Sequence, residues 1–527
     1  MTQEIAVLME ISAPSLDYGL LAPVLIVFGA ACVGVLLEAL VPRGGRRLTQ
    51  AILAFAALVA AMVMVGINAS SGARVVEAVG SIAIDGPTQF LWGTLILLTA
   101  MALLVFLDRD VDDSHFAPSA ASVPGSNQEQ EAQEAGHAHT EVFPLALFAL
   151  SGMLVFPAAN DLITLFVALE VLSLPLYVLS GLARRRRLLS QESSLKYFLL
   201  GAMSSGFFLY GITLLYGFSG SFDYAGIADA VVNPTQPTGL LIAGLGLLGM
   251  GLLFKVGAVP FHSWTPDVYV GAPTPVTGFM AACTKIAAVG ALLRVFFVAL
   301  GSARWDWQPA MAVVAVMTMV VGALMAITQT DVKRMLAYSS IAHAGFILTA
   351  VVGAYQTGSG APDGAVTSIQ SVLFYLAVYG ASTIAAFALL TMVRDRGIEA
   401  TNLSDWAGLA KKSPRVAAAF GFLLLSFAGI PLTSGFIGKW AVFAAAWGGG
   451  YAWLVVVAVL VSLVTAFFYL KVIVSMFFAE PAESSEVVEP SIPTLLAVAV
   501  GVAVTFVAGV VPGPLLELAA KAGEFVR

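Results

Sequence analysis

The chain has 527 residues, of which 59% are hydrophobic and only 11% charged, with a formal net charge of −7 and a mean hydropathy of +0.92. This composition excludes a soluble globular domain and points to a polytopic membrane protein, with lipid as solvent and partner and no nucleic-acid partner expected. Cys32 and Cys283 are isolated, with no CxxC or CxxCH spacing for a cluster, zinc or covalent haem, and the chain holds neither GxGxxG nor a Walker A loop. No metal, nucleotide or electron-carrying cofactor is therefore expected in this chain.

Apolar runs of about twenty residues mark membrane crossings. They fall near 18–41, 48–68, 86–107, 142–158, 161–182, 194–217, 238–267, 274–300, 309–328, 335–354, 368–393, 415–446, 451–477 and 493–517, predicting an all-α protein of about fourteen transmembrane helices. The first run has no lysine or arginine before it and no small-residue cleavage site after it, so it reads as a retained helix. With both termini outside, fifteen of the 25 basic residues fall in cytoplasmic connections and only four in outer ones. Lys333 and Arg334 read as anchors of that kind, and Glu38 as interfacial.

In chain order, 1–108 forms an N-terminal three-helix segment and 109–141 a polar cytoplasmic loop. The loop ends in SNQEQEAQEAGHAHTE, where His137 and His139 read as part of a solvated low-complexity stretch and not as a metal site. Residues 142–300 and 309–477 each read as a five-helix block, and 478–527 as a C-terminal helix and tail. The fourth helix of each block is too long for one straight crossing and carries a proline in its middle, Pro260 in VGAVPFH and Pro431 in FAGIPLTSGFIGKW. Proline breaks are tolerated in lipid where protein or water lines them. Interrupted helices at matching places in two halves point to inverted repeats with an ion path at the midplane.

A polar track interrupts the apolar runs: Glu170, Lys196, Lys255, Lys285, His343 and Lys439. A cation at bilayer depth costs roughly 2.5–3.5 kcal/mol on insertion scales, so a chain that keeps several is using them. Burial disfavours the charged form of a lysine and a nearby carboxylate restores it, so a buried lysine with a switchable carboxylate partner can take up and release a proton. Glu170 is the partner candidate for Lys255, and His343 follows the hydroxyls of Tyr338, Ser339 and Ser340. Lys196 and Lys471 read equally well as snorkelling side chains.

The stretches FKVGAVPFHSWTPDVYVGAPTPVTGF, TDVKRMLAYSSIAHAGF and GIPLTSGFIGKW resemble the antiporter-like membrane subunits of respiratory complex I and their Mrp antiporter relatives, over about 85–517. Within that family the resemblance is to the N-type: L-type subunits carry histidine where Lys285 stands, and M-type subunits carry glutamate where Lys439 stands. An L-type chain would also continue into a long lateral helix. The resemblance implies two inverted five-helix repeats and a non-redox, proton-translocating role in a bacterial plasma (inner) membrane NADH:quinone oxidoreductase. Glu170 would pair with Lys255, Lys285 would join the half-channels, and Lys439 would sit at the exit, with His343 on the path and Lys196 and His262 as secondary positions. NADH, FMN, iron–sulfur clusters and quinone would belong to partner subunits. Antiporter-like L- and M-type subunits and small membrane subunits would be neighbours. The alternative within the family is a Mrp-type sodium/proton antiporter subunit.

Overall fold

In lipid a backbone must satisfy its own hydrogen bonds, and long apolar runs do so as helices. The computed structural model describes residues 16–108, 115–116, 126–127, 131, 140–184, 186–354, 365–395, 398–482 and 485–526. Its helices are α1 (Tyr18–Leu40), α2 (Arg43–Ser70), α3 (Gly86–Phe106), α4 (Val142–Ala158), α5 (Leu162–Ser180), α6 (Arg187–Ser219), α7 (Tyr224–Val232), α8 (Thr238–Val256) and α9 (Trp264–Gly271). There follow α10 (Thr274–Ala299), α11 (Arg304–Ile327), α12 (Val332–Gly353), α13 (Ser368–Leu390), α14 (Leu409–Lys412), α15 (Pro414–Ala428), α16 (Ser434–Gly448), α17 (Ala452–Phe478), α18 (Ile492–Val510) and α19 (Gly513–Lys521). Among the described residues twelve helices are long and apolar enough to cross a membrane, and α4 and α15 are shorter apolar helices. The chain is thus a mostly helical, polytopic membrane protein. His137 and His139 lie outside the described residues.

Two short sheets cap helix ends: β1 (Val75–Glu77) pairs with β2 (Ile82–Ile84), and β3 (Val393–Asp395) lies between β4 (Ile398–Glu399) and β5 (Ser485–Val487). Helix starts carry the capping residues that four orphan backbone donors require. Asp17, Asp85, Asp161, Asp331 and Ser491 each accept a backbone N–H of the first turn, and Thr367 forms a capping box with Gln370.

The two expected helix breaks are present and share one geometry. α8 ends at Gly257 (φ +79°) and α15 at Gly429 (φ +84°), left-handed conformations that cost any residue with a Cβ. In each, the next amide reaches back to a carbonyl four residues before the glycine, Ala258 to Leu253 (2.9 Å) and Ile430 to Leu425 (3.1 Å). Pro260 and Pro431 follow, and the chain resumes as α9 and α16. Helix starts match as well: Asp161 and Asp331 cap α5 and α12, and the backbone beside each forms an isolated antiparallel bridge, to Asp223 and Asn402.

α10 is wholly buried, α12 is buried except at Arg334, and α13 is nearly so, whereas α1, α2, α6 and α17 keep an outward apolar face. α10 is continuous but includes two π-helical turns, Met280–Thr284 and Val295–Ala299, on either side of Lys285–Arg294. Such turns re-aim side chains inside a helix and recur at functional sites. Neighbouring helices approach at glycine: a Cβ on Gly152 of α4 would overlap the backbone of Leu172 in α5, and one on Gly322 of α11 that of Ala342 in α12. A buried ion pair, Arg294 Nη2 to Asp85 Oδ1 at 2.7 Å, joins α10 to the start of α3, and Asp85 Oδ2 accepts from the Val526 amide (3.0 Å).

Candidate functional site

Lys255 lies in the last turn of α8, one turn before the break, and is 3% exposed. α5 and α6 bring hydroxyls to it. Ser173 Oγ gives its proton to the Leu169 carbonyl of its own helix, which leaves its oxygen free to accept from Lys255 Nζ at 2.7 Å. Tyr197 Oη accepts at 3.2 Å, and the rings of Tyr197 and Tyr177 face the ammonium at 5.2 and 5.9 Å. Trp264, the first residue after the break, stacks on Tyr197 at 4.7 Å and donates its indole N–H to the Phe254 carbonyl of the α8 end.

Glu170 stands one turn before Ser173 on α5, and the expected pairing with Lys255 is not formed. No ion pair within 4.0 Å joins them, and Glu170 Oε1 is buried without a hydrogen-bond partner. The lysine rests on the neutral hydroxyl beside the carboxylate. His262, in the break, has no hydrogen bond to this cluster, and its Nδ1 is buried without a partner.

Lys285, directly after the first π turn, is 4% exposed. It donates to both the carbonyl and the hydroxyl of Ser340 on α12, the latter at 2.6 Å, beneath the Tyr379 ring at 5.7 Å. Ser339, its neighbour, hydrogen-bonds Tyr469 Oη of α17, which lies 3.2 Å from His343 Nε2; His343 Nδ1 lies 2.6 Å from Tyr375 Oη of α13. Beside His343 is a cavity of about 10 Å³ lined by Tyr375, Tyr379, Ser382, Ser426 and Ser434, the size of one water. Lys439 of α16 folds back across the second break: Nζ donates to the Ala428 carbonyl and to Ser462 Oγ, both at 2.9 Å. Ala428 is the last residue of α15, so the cation sits at the negative end of a helix dipole.

Lys196 does not join this interior. Its side chain is 42% exposed and pairs with Glu192 (2.7 Å) and Asp267 (3.0 Å), and Asp267 also holds Arg334 (3.1 Å). This network ties α9 to α6 and α12. Lys333, expected at the interface, is instead buried and donates to the Ala272 carbonyl at 2.7 Å. The hydroxyls of Ser173, Tyr197, Tyr375, Ser462 and Tyr469 were not singled out by the sequence reading; their only signal is a polar atom inside an apolar run. Among the described residues no group of three or more His, Cys, Asp or Glu side chains could hold a metal ion.

Residues 159–465 match the family model described as NADH:quinone oxidoreductase/Mrp antiporter, TM. A NADH-quinone oxidoreductase subunit N from Nocardioides sp. is 56% identical, over 98% of this chain and all of the relative. The chain belongs to the subunit N family of NADH-quinone oxidoreductases. Another subunit N relative, from Rhodococcus opacus, is 54% identical over 98% of each chain. A chain of respiratory complex I from Thermus thermophilus superposes with a TM-score of 0.74 at 32% identity, covering 95% of this chain and all of that one. The antiporter-like fold of subunit N extends to a chain of the Mrp complex from Dietzia sp., with a TM-score of 0.77 at 23% identity over 95% and 96% of the two chains.

Proposed function

We propose that this chain translocates protons as a non-redox membrane subunit of a bacterial NADH:quinone oxidoreductase. The observation that carries the reading is the company of the buried cations. Lys255, Lys285 and Lys439 are held by hydroxyls and carbonyls, and among the described residues no carboxylate lies within 4.0 Å to pin the charged form of any of them. Hydroxyls both accept and donate. In this reading a proton reaches Lys255 beside Glu170, crosses to Lys285 and Ser340, passes the Ser339, Tyr469 and His343 hydrogen bonds, and leaves by Lys439. Lys196 and His262 act at most at the margin of the path.

The matching Asp caps, bridges and glycine-closed breaks support two inverted five-helix repeats, 142–300 and 309–477, flanked by 1–108 and 478–527. With α4 and the α15–α16 pair also crossing, the spans number fourteen, both termini outside. Electrons would pass through NADH, FMN, iron–sulfur clusters and quinone in partner subunits. L- and M-type subunits, small membrane subunits and lipid would pack around this chain in the bacterial inner membrane. Moving each proton outward against the potential takes about 2.3 kcal/mol per 100 mV, supplied by those neighbours.

Lys285→Arg is the test. Arginine keeps the charge but does not deprotonate in proteins. NADH-driven proton pumping in inverted vesicles, normalised to assembled complex, should be abolished by Lys285→Arg as by Lys285→Ala; normal pumping by the arginine variant would make Lys285 a fixed charge. The Mrp-type sodium/proton antiporter reading rests on the shared family model, and purification of the chain without flavin- and iron–sulfur-bearing partners would favour it.

A further inference from the structure

His343 and Lys439 share no hydrogen bond, so the last internal step of the proposed path lacks a carrier. The imidazole stands between two tyrosine hydroxyls, Tyr469 Oη at 3.2 Å from Nε2 and Tyr375 Oη at 2.6 Å from Nδ1. An imidazole passes a proton on by taking it at one ring nitrogen and releasing it at the other. A proton that arrives from Tyr469 therefore leaves toward Tyr375 of α13. That tyrosine lines the cavity of about 10 Å³ at the second helix break.

Across the cavity lies Ser434, the first residue of α16. It is wholly buried, and its Oγ has no hydrogen-bond partner among the described residues. A buried hydroxyl left unpaired is costly, and such groups are met by protein or by ordered water. The neighbouring serines are already engaged: Ser382 donates to the Val378 carbonyl (2.8 Å), and Ser426 Oγ accepts from the Gly435 N–H (3.1 Å). One water needs roughly 10–15 Å³ and two to four polar partners. The cavity supplies both, with the hydroxyls of Tyr375, Tyr379, Ser382, Ser426 and Ser434 in its wall. Ser434 also leads to the exit lysine. Its neighbour Gly435 is bound to Ser426 and Lys439 to the Ala428 carbonyl, so the start of α16 and the Lys439 ammonium both stand over the last turn of α15.

We propose that this cavity binds one water and that Ser434 is the proton relay between Tyr375 and Lys439, an assignment that rests on the proton path proposed above. His343, protonated at both nitrogens, gives its Nδ1 proton to Tyr375 Oη as the tyrosine hydroxyl gives its own to the water. The water passes one proton to Ser434 Oγ, and the serine proton goes on to the uncharged amine of Lys439. Each oxygen gains one proton and loses one, one positive charge moves from the imidazole to the lysine, and rotation of the hydroxyls restores the chain.

The test pairs a density map with pumping. In the assembled parent complex, imaged by electron cryo-microscopy at a resolution that shows ordered water, a peak should lie within hydrogen-bond distance of Ser434 Oγ and Tyr375 Oη. Ser434→Val puts methyl groups where the hydroxyl and its water stand. The peak should vanish, and NADH-driven proton pumping in inverted vesicles, normalised to assembled complex, should fall several-fold. The solvent deuterium isotope effect on pumping should rise, because the slowed relay becomes the limiting proton transfer. If Ser434→Val does not assemble, Tyr375→Phe, which keeps the ring and loses the hydroxyl, takes its place with the same expected fall in pumping and rise in isotope effect. A parent map without the peak overturns the proposal, as does a fall in pumping with an unchanged isotope effect, which would make Ser434 a packing residue. Parental pumping by Ser434→Val overturns it as well, and Lys285→Arg measured alongside separates the two readings. If Lys285→Arg is inactive, only the Ser434 relay falls; if it also pumps normally, the whole path falls.

Discussion

Gly429→Ala separates backbone strain from the placement of a proton carrier. Gly429 and Gly257 close the two broken helices with nearly the same φ, +84° and +79°. Alanine at either carries the same left-handed penalty, roughly 1–2 kcal/mol. Their surroundings differ. The added Cβ at 429 would lie 2.9 Å from Lys439 Cδ and 3.3 Å from its Nζ, while at 257 it would lie 2.9 Å from Thr265 Oγ1. A lysine side chain moves more readily than backbone, so Lys439 gives way and its ammonium leaves the Ala428 carbonyl and Ser462. Losing those charge-assisted bonds costs about 1.5–3 kcal/mol each. Gly429→Ala should therefore lose more thermal stability than Gly257→Ala, and NADH-driven pumping per assembled complex, read by a pH-sensitive dye in inverted vesicles, should fall several-fold more in Gly429→Ala. Equal pumping by the two variants would refute the claim that Lys439 is held in place for proton exit.

Glu170→Gln and Lys255→Ala should each lower pumping and quinone-linked NADH oxidation together, while Glu170→Asp stays milder; assembled Glu170→Gln complex that pumps normally would remove the carboxylate from the path. Asp85→Ala leaves Arg294 buried and unpaired and should destabilise the chain by roughly 3–5 kcal/mol, seen as a lower melting temperature, with Asp85→Ala/Arg294→Met recovering most of it. Cysteines at 186 and 410 should be labelled only from the cytoplasmic side and one at 225 only from outside; the reverse pattern sinks the proposed orientation.

The breaks and the lysines beside them were legible because proline and a lone cation stand out against apolar sequence. Their partners were not. Lys255 meets Ser173 of α5 and Lys285 meets Ser340 of α12, and serine in an apolar helix most often bonds its own preceding turn, as Ser173 also does with Leu169. Lys333 departed from expectation, and Lys196 took the outward one of its two readings, for a related reason. Lys196 lies inside an apolar run but on the side of α6 that meets Asp267, while Lys333 follows the polar TQTD yet points into the packed side of its helix, 3% exposed. Hydropathy records depth along the membrane normal and is blind to which neighbour a helix face meets.

Glycine lets α4 press on α5 and α11 on α12 with no side chain between them, and α12 is enclosed from Met335 to Gly353. Helices fitted this closely do not slide past one another without opening voids along the seam. Movement is left to the parts that are not so fitted: long side chains, the two glycine-closed gaps and the π turns around Lys285. A signal crossing this chain would then travel as successive changes of rotamer and hydrogen-bond partner, each a step of nanoseconds, with any slower rhythm imposed from outside the chain.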